Sequence, residues 1–236
     1  MNICVIPARG GSKRIPGKNI KQFHGKPIIA WSIEAALESQ CFDRIVCSTD
    51  SEDIAKVARQ YGAETPFLRP EIISDDHVTI APVIAHSIEF YEKEVGAIDF
   101  VCCIFATAPF IQSFDIQKSL EIIKTKNIDY CFSATSYSFP IQRSIFINKD
   151  GRCKMFQPET YDKRSQDLED MYHDAGQFYW GKASSWLENK NIFSEQSIPY
   201  LLPRYQVQDI DTEEDWIRAE LMYSAFIDKL KNKGSR

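Results

Sequence analysis

The chain has 236 residues, 44% hydrophobic and 26% charged, which suits a globular protein built around one large α/β domain. Its formal net charge of −5 disfavours a nucleic-acid-binding protein held by bulk electrostatics, since such domains are usually strongly basic. Residues 1–8 are too short for a signal peptide and no apolar run reaches membrane-spanning length, so we expect a cytoplasmic protein without nucleic-acid or membrane partners.

Short β-rich runs alternate with helical patterns over the first two thirds of the chain. They predict strands at residues 3–7, 44–48, 65–68, 100–105 and 130–134, and helices at residues 27–39, 51–61, 78–94 and 115–124. This alternation indicates a doubly wound α/β fold with a mostly parallel sheet covered on both faces. In such sheets, ligands bind beyond the carboxyl ends of the strands.

The alternation breaks after the fifth predicted strand. Residues 136–175 are polar and aromatic and too long for a plain connection, so we predict a functional excursion or an oligomerisation arm within a single domain of residues 1–236. A further strand is predicted at residues 176–181. A closing helix is predicted at residues 212–230, capped by Thr212 and apolar along one stripe formed by Trp216, Ala219, Tyr223, Phe226 and Leu230.

The seven cysteines lie mostly inside apolar runs and lack the C-x-x-C spacing of a zinc or redox site. We therefore expect small core residues in a reducing compartment.

A basic, glycine-rich loop follows the first predicted strand. Gly10 and Gly11 predict a nest of backbone N–H groups for an anion, to which Ser12 adds a hydroxyl donor. Arg9 and Lys18 supply charges that suit a chain of phosphates, and a triphosphate above all. The loop matches neither the G-x-G-x-x-G dinucleotide motif nor the G-x-x-x-x-G-K-[ST] P-loop, and a solvated basic turn is the alternative interpretation.

Two carboxylates near the carboxyl end are spaced for a hard cation. Asp209 and Asp211 flank one apolar residue, which puts both on one side of an extended segment. This arrangement suits Mg²⁺ (or Mn²⁺) bridging to phosphates. The alternative is that they complement the dipole of the helix that follows. Asp50 follows the second predicted strand, and its alternative role is also at a helix start, as the N-cap of the helix at residues 51–61.

Four ordered motifs resemble the CMP-sugar synthetases for nine-carbon 2-keto acids, the sialic acid cytidylyltransferases and their relatives. The motifs are IPARGGSKRIPGKN at residues 6–19, DRIVCSTD at 43–50, LRPEIISD at 68–75 and DIDTEED at 209–215. IFATAPF at 104–110 and AGQFY at 175–179 depart from the sialic acid pattern and resemble the pseudaminic acid branch. One departure places Phe105 where relatives usually carry Gln.

The resemblance implies attack by the anomeric hydroxyl of a nonulosonic acid on the α-phosphate of CTP, with release of pyrophosphate. It implies catalytic roles for Arg9, Lys18, Asp209 and Asp211, the two aspartates holding the metal. The nucleotide-binding residues that it implies are Ala8, Arg9, Gly10, Gly11, Ser12, Lys18, Asn19, Arg69, Ser74, Asp75 and Thr79. For the residues between 69 and 79, roles in turns and helix caps remain the alternative. We expect Lys13 to lie at the periphery of the nucleotide site.

The sugar acid requires a cation for its carboxylate and apolar walls. The sugar-binding candidates are Gln142, Arg143, Arg164, Tyr172, Gln177, Phe178 and Tyr179, and for each aromatic side chain among them a core position is the alternative interpretation. Relatives extend this region across a dimer axis, so the resemblance implies a homodimer. The alternatives are the same reaction on N-acetylneuraminic or legionaminic acid, a non-catalytic nucleotide-sugar sensor, and a nicotinamide-dependent oxidoreductase that the loop spacing disfavours.

Overall fold

The computed structural model describes residues 1–75 and 78–233, with side chains as far as residue 229. The strands are β1 (Asn2–Pro7), β2 (Gln22–Phe23), β3 (Lys26–Pro27), β4 (Arg44–Ser48), β5 (Phe100–Ile104), β6 (Tyr130–Ser136), β7 (Ile145–Ile147), β8 (Cys153–Met155), β9 (Tyr172–Lys182) and β10 (Ser197–Leu201). The α-helices are α1 (Ile28–Ser39), α2 (Glu52–Gln60), α3 (Ile80–Glu94), α4 (Ser113–Thr125), α5 (Ala183–Leu187) and α6 (Glu213–Lys233).

Six strands form the central sheet in the order β10-β6-β9-β5-β1-β4. β1 pairs in parallel with β4 and β5, and β10 pairs in parallel with β6. β9 runs antiparallel to both of its neighbours, β5 and β6. The predicted mostly parallel sheet is therefore confirmed, with one strand reversed near its centre.

Helices cover both faces of this sheet, as predicted. Apolar side chains of α1, α2 and α4 pack on one face, and those of α3 and α5 pack on the other. α6 buries Trp216, Ala219, Tyr223 and Phe226 in a third cluster against Phe110 and the segment around β2, while Leu230 of the predicted stripe lies outside the described side chains. Five of the seven cysteines are buried in the core, whereas Cys41 is half-buried and Cys153 is exposed.

Three local predictions were wrong or incomplete. Residues 65–68 do not form a strand, because Pro66 lacks an N–H for the ladder and the pairing stops at a bridge between Val46 and Glu64. β10 was not predicted. β9 begins at Tyr172, so the excursion ends earlier than residue 175, and it contains the hairpin of β7 and β8.

The starts of α2 and α6 have side-chain caps. Ser51, rather than Asp50, caps α2 by accepting a hydrogen bond from the Ile54 N–H at 3.5 Å. Thr212 caps α6 as predicted, since its Oγ1 accepts from the Asp215 N–H at 3.2 Å while Asp215 accepts from the Thr212 N–H at 2.8 Å. None of the helices described combines the length and hydropathy needed to cross a membrane.

Candidate functional site

A first cavity of about 560 Å³ opens beyond the carboxyl ends of β1, β4 and β5. This is the edge at which parallel sheets hold ligands. The basic loop, the start of α3 and the residues after β5 form its walls. Its lining consists of Pro7, Arg9, Ser12, Lys13, Arg14, Lys18, Asn19, Arg69, Ile73, Asp75, Val78, Thr79, Ile80, Val83, Phe105, Ala106, Thr107 and Asp211.

The basic loop is tied to the neighbouring strand end through Asp50. The Gly10 N–H donates to Asp50 Oδ1 at 2.7 Å, and a Cβ on Gly10 would lie 3.1 Å from the Ser51 Cβ. A side chain at position 10 would crowd this approach. Because the Gly10 N–H is already bonded to Asp50, it does not serve as a donor in the expected anion nest. The loop instead lines the cavity with Arg9, Ser12 and Lys18.

Lys18 and Arg14 converge on Asp211. Lys18 Nζ donates to the Ile210 carbonyl at 2.6 Å and lies 3.3 Å from Asp211 Oδ1, while Arg14 Nη2 lies 3.0 Å from Asp211 Oδ2. Sequence reasoning did not single out Arg14, although it belongs to the same basic run, and Lys13 lines the cavity rather than lying apart from it. The cavity thus has several cations along one wall.

Asn19 braces the loop from inside. Its Nδ2 donates to the Arg9 carbonyl at 2.9 Å, and the side chain is 8% exposed. This bond fixes the backbone that carries Arg9, so Asn19 acts on the shape of the loop as well as lining the cavity.

Arg69 is a buried cation in the lining, with 7% of its surface exposed. One Nη donates to the Ser48 carbonyl, and the Nε has no hydrogen-bond partner within the part of the chain described. Burial lowers the pKa of the guanidinium, Asp50 opposes that shift, and Arg9 adds to it. A buried donor without a partner is costly, which makes this N–H a candidate contact for a ligand atom.

The other predicted nucleotide-binding residues divide into two groups. Asp75 and Thr79 line the cavity, beside Val78 and Ile80 at the start of α3. Ser74 instead donates its hydroxyl to the Pro70 carbonyl at 2.9 Å, which is a turn role. Ala8 is 1% exposed and packs in the core, so only its backbone supports the loop.

A second cavity of about 830 Å³ lies beside the excursion. Three arginines, Arg143, Arg204 and Arg218, and two aspartates, Asp174 and Asp209, are among the residues that line it. The rest of its lining consists of Thr135, Ser136, Tyr137, Ser138, Phe139, Pro140, Ile141, Ser144, Ser165, His173, Ala175, Val207 and Gln208. Sequence reasoning missed Arg204 and Arg218, because they lie far along the chain from the excursion.

The two cavities meet at Asp209 and Asp211. Asp211 lines the first cavity, Asp209 lines the second, and buried Ile210 lies between them in the chain. Loss of hydration raises the pKa of Asp209, and the nearby Asp211 carboxylate raises it further, while Lys18 opposes both effects. The two carboxylates therefore influence each other electrostatically, although they line different cavities.

A tyrosine buried behind the second cavity orients Asp174. The Tyr179 hydroxyl donates to Asp174 Oδ2, and the Gly176 N–H donates to Asp174 Oδ1 at 2.9 Å. Burial and the Asp174 charge raise the pKa of Tyr179. The Phe105 ring, in the lining of the first cavity, meets the Tyr179 ring edge-on at 5.3 Å, so the two aromatic side chains connect the cavity walls.

The predicted sugar-binding residues are only partly brought together. Arg143 lines the second cavity, whereas Arg164 pairs with Asp167 at the surface and Tyr172 is exposed. Phe178 is fully buried in the core beneath the sheet, which corrects its assignment as a ligand wall.

The two predicted glutamines and Tyr179 also lie in the interior. Gln142 Nε2 donates to the Glu169 carbonyl at 2.8 Å and Gln177 Nε2 donates to the Gln206 carbonyl at 2.5 Å. Both side chains are buried and support the cavity from behind, as Tyr179 does through Asp174. Their burial corrects the expectation that they form its surface.

Two aspartates are the acidic groups where the cavities meet. Within residues 1–75 and 78–233, no group of three or more His, Cys, Asp or Glu side chains is arranged to hold a metal ion. Two carboxylates beside a triphosphate are nonetheless a donor set that Mg²⁺ accepts, with phosphate and water oxygens as its other ligands. The residues present therefore fit such an ion when a nucleotide is bound.

The chain is similar over nearly its whole length to known proteins. It is 45% identical to a pseudaminic acid cytidylyltransferase of Campylobacter jejuni, covering 94% of this chain and 96% of that one. It is 39% identical to a CMP-N,N'-diacetyllegionaminic acid synthase of Legionella pneumophila, covering 92% and 94%.

Solved structures share the fold. A CMP:2-keto-3-deoxy-manno-octonic acid synthetase solved with CTP superposes with a TM-score of 0.67 at 15% identity, covering 95% of this chain and 98% of that one. A 4-diphosphocytidyl-2C-methyl-D-erythritol synthase of Anaerococcus prevotii gives 0.63 at 12% identity, covering 94% and 98%. Residues 3–222 match the family described as Cytidylyltransferase. The chain belongs to the cytidylyltransferase family.

Proposed function

We propose that the protein transfers CMP from CTP to pseudaminic acid, releasing pyrophosphate. The observation that carries this proposal is the meeting of a basic cavity and an arginine-lined cavity at two neighbouring carboxylates. The similarity to a pseudaminic acid cytidylyltransferase of Campylobacter jejuni supports the choice of sugar. The two substrates then approach each other at Asp209 and Asp211.

The cytosine base occupies the part of the first cavity near Arg69. The unpartnered Arg69 Nε–H is a donor, and cytosine presents the acceptors O2 and N3 where uracil presents an N3–H. Ile73, Val78 and Ile80 offer apolar contact to the faces of the ring. A hydrogen bond from this N–H to N3 favours CTP over UTP, because N3 of uracil carries a hydrogen and offers no acceptor there.

The triphosphate lies along the basic loop. Lys18 and Arg14 pair with Asp211 in the free protein, and both are within reach of a phosphate that enters the cavity. We propose that they exchange the carboxylate for phosphate oxygens, with Arg9 alongside. Asp209 and Asp211 then hold Mg²⁺ (or Mn²⁺), which neutralises charge that develops on the phosphate oxygens.

The nonulosonic acid lies in the second cavity with its anomeric hydroxyl directed at the α-phosphorus. Its carboxylate is attached to the anomeric carbon, so the cation that binds it must lie near Asp209. Arg204 and Arg218 line the same cavity as Asp209 and are the candidates for this cation, and Arg143 lines that cavity from the excursion. Arg is suited to this role because its planar group binds carboxylates through two hydrogen bonds.

We further propose that the excursion joins two copies of the chain. Phe139, Tyr161 and Ile147 expose 82%, 73% and 71% of their surface on it. Apolar side chains exposed together are typical of interaction surfaces. Analytical ultracentrifugation tests this proposal, and replacing Ile147 by Lys is expected to shift a dimer toward monomer.

The cytoplasm, where CTP is formed, remains the proposed location.

A substrate panel tests the proposed reaction. Pyrophosphate release is measured with CTP, UTP or ATP and with pseudaminic, legionaminic or N-acetylneuraminic acid, each with Mg²⁺. We expect the highest kcat/KM for CTP with pseudaminic acid. Preference for legionaminic acid would move the protein to the alternative substrate, which the Legionella similarity keeps open. Tight CTP binding without pyrophosphate release from any acid would instead indicate a nucleotide-sugar sensor.

A further inference from the structure

A buried hydrogen-bond network lies beneath the segment that carries Asp209 and Asp211. Asp115, in the first turn of α4, is 8% exposed and accepts two hydrogen bonds through different oxygens. Oδ1 accepts from the Tyr200 hydroxyl of β10 at 3.0 Å, and Oδ2 accepts from Gln206 Nε2. Gln206 is itself 6% exposed and ends a short 3₁₀ turn, Arg204–Gln206.

The Asp115 carboxylate lies in a largely buried position. Burial raises the pKa of Asp115, and the bonds from Gln206 and Tyr200 oppose that shift. A buried carboxylate persists only where its oxygens are satisfied, and its two acceptor directions then fix the donors that reach it. Asp115 therefore joins α4, β10 and the turn at residues 204–206 at one point.

Gln206 is also the inner anchor of the segment before the two aspartates. Its carbonyl accepts from Gln177 Nε2 of β9 at 2.5 Å, so both its side chain and its backbone are held from within. The next residue that fixes this segment is Ile210, which is fully buried and whose carbonyl accepts a hydrogen bond from Lys18. Asp209 lies between these two points and is exposed, after the half-buried residues Val207 and Gln208.

We propose that Asp115 and Gln206 are positioning residues for the carboxylates that bind the metal. The proposal rests on the metal-binding role proposed above for Asp209 and Asp211. The Asp115–Gln206 bond sets where the stretch leaves the protein interior, and the Lys18–Ile210 bond sets where it returns. Without the Gln206 side chain, the stretch that places Asp209 loses its link to α4. At its start it keeps the Gln177 bond and the turn bonds from the Gln206 and Val207 N–H groups, so its range of positions widens.

The two bonds to Asp115 offer a matched pair of variants. Gln206→Leu removes the donor on the aspartate-bearing segment, and Tyr200→Phe removes the donor on β10. Each leaves one oxygen of the same buried carboxylate without its partner. Asp115→Asn is the conservative variant, because its amide oxygen can accept from Gln206 while its NH₂ donates to the Tyr200 oxygen.

The first readout needs no metal and no activity. Hydrogen–deuterium exchange of the full-length protein without ligands is followed in peptides covering residues 203–215. We expect faster exchange there in Gln206→Leu than in Tyr200→Phe, at similar losses of thermal stability, and near wild-type exchange in Asp115→Asn. Equal exchange in the two single-bond variants would overturn the proposal, because Gln206 would then be a structural contact like Tyr200.

The second readout is the Mg²⁺ concentration that gives half-maximal pyrophosphate release. We expect it to rise about 10-fold in Gln206→Leu, as is typical when a partner that orients a metal ligand is lost, and to stay near wild type in Tyr200→Phe. Faster exchange with an unchanged Mg²⁺ requirement would overturn the catalytic part. Asp211→Asn, measured in parallel, separates the two hypotheses: if it also leaves the Mg²⁺ requirement unchanged, the metal assignment itself fails.

Discussion

Replacing Asp211 by Asn separates the cost to stability from the cost to the reaction. The Asp211 side chain is 40% exposed and pairs with Arg14, itself 66% exposed, and with Lys18. Exposed ion pairs contribute about 0–1 kcal/mol each, and Asn keeps an oxygen that can accept from Lys18. We therefore expect a loss of unfolding free energy of about 1 kcal/mol and a fold that is otherwise unchanged.

The effect on turnover is expected to be much larger. Asp211 is proposed to hold the ion that neutralises the phosphate oxygens, and losing one such electrostatic contact typically reduces kcat by about 100- to 1000-fold. That range corresponds to about 2.7–4 kcal/mol in the activation barrier, well above the stability cost. The KM for CTP should not rise, because Lys18 and Arg14 no longer have a carboxylate competing with the phosphates.

Steady-state pyrophosphate release at saturating Mg²⁺, with thermal unfolding measured on the same samples, checks both numbers. A folded variant whose kcat stays within about threefold of wild type would refute the metal-binding role of Asp211. A large rise in the KM for CTP with unchanged kcat would instead indicate that Asp211 only orients the basic loop.

Three further predictions address the loop, the base and the pH dependence. Gly10→Ala should raise the KM for CTP, because the new Cβ would lie 3.1 Å from the Ser51 Cβ and displace the loop. Gly11→Ala is the control: no atom lies within 4 Å of its new Cβ, so its KM for CTP should stay near wild type. Arg69→Leu should reduce the CTP-to-UTP ratio of kcat/KM by about 10-fold or more, and an unchanged ratio would exclude Arg69 from base recognition. The raised pKa of Asp209 means that its carboxylate takes up a proton at a higher pH than an ordinary Asp. At limiting Mg²⁺, kcat/KM should therefore begin to fall on acidification before an ordinary Asp would be protonated, and excess Mg²⁺ should move this acidic limb to lower pH. A limb that does not respond to Mg²⁺ would contradict the assignment.

The local part of the site could be predicted from the sequence because its residues are close together in the chain. Arg9, Ser12, Lys18 and Asn19 follow one buried strand, and the structure brings all four into one cavity lining. Asp50 could not be assigned in the same way. Its partner Gly10 lies 40 residues away, and only the pairing of β1 with β4 brings their carboxyl ends together.

The second cavity was predicted least well, for a topological reason. The excursion was expected to supply its walls, yet Arg204 and Arg218 come from the turn after β10 and from α6. β10 was missed because it is a short edge strand containing Pro199 and its residues are only partly buried. Without that strand, the sequence offered no way to bring residues 204–218 beside the excursion.

Burial also reversed several side-chain assignments on β9. Aromatic residues alternate across a strand, so Phe178 and Tyr179 point to opposite faces of the sheet. Phe178 enters the cluster under α1 and α4, whereas Tyr179 enters the opposite cluster and reaches Asp174. Which cluster each face of β9 packs against depends on the order of the strands in the sheet. The aromatic composition of this strand does not reveal that order.

The central claim is that the α-phosphoryl group of CTP is transferred to the sugar acid where the two cavities meet. Reaction of pseudaminic acid with [α-³²P]CTP and, separately, with [γ-³²P]CTP tests this most directly. We predict that the α label appears in the sugar-linked product and the γ label leaves as pyrophosphate. Transfer of the γ label to the sugar, or an α label that never leaves the free nucleotide, would contradict it.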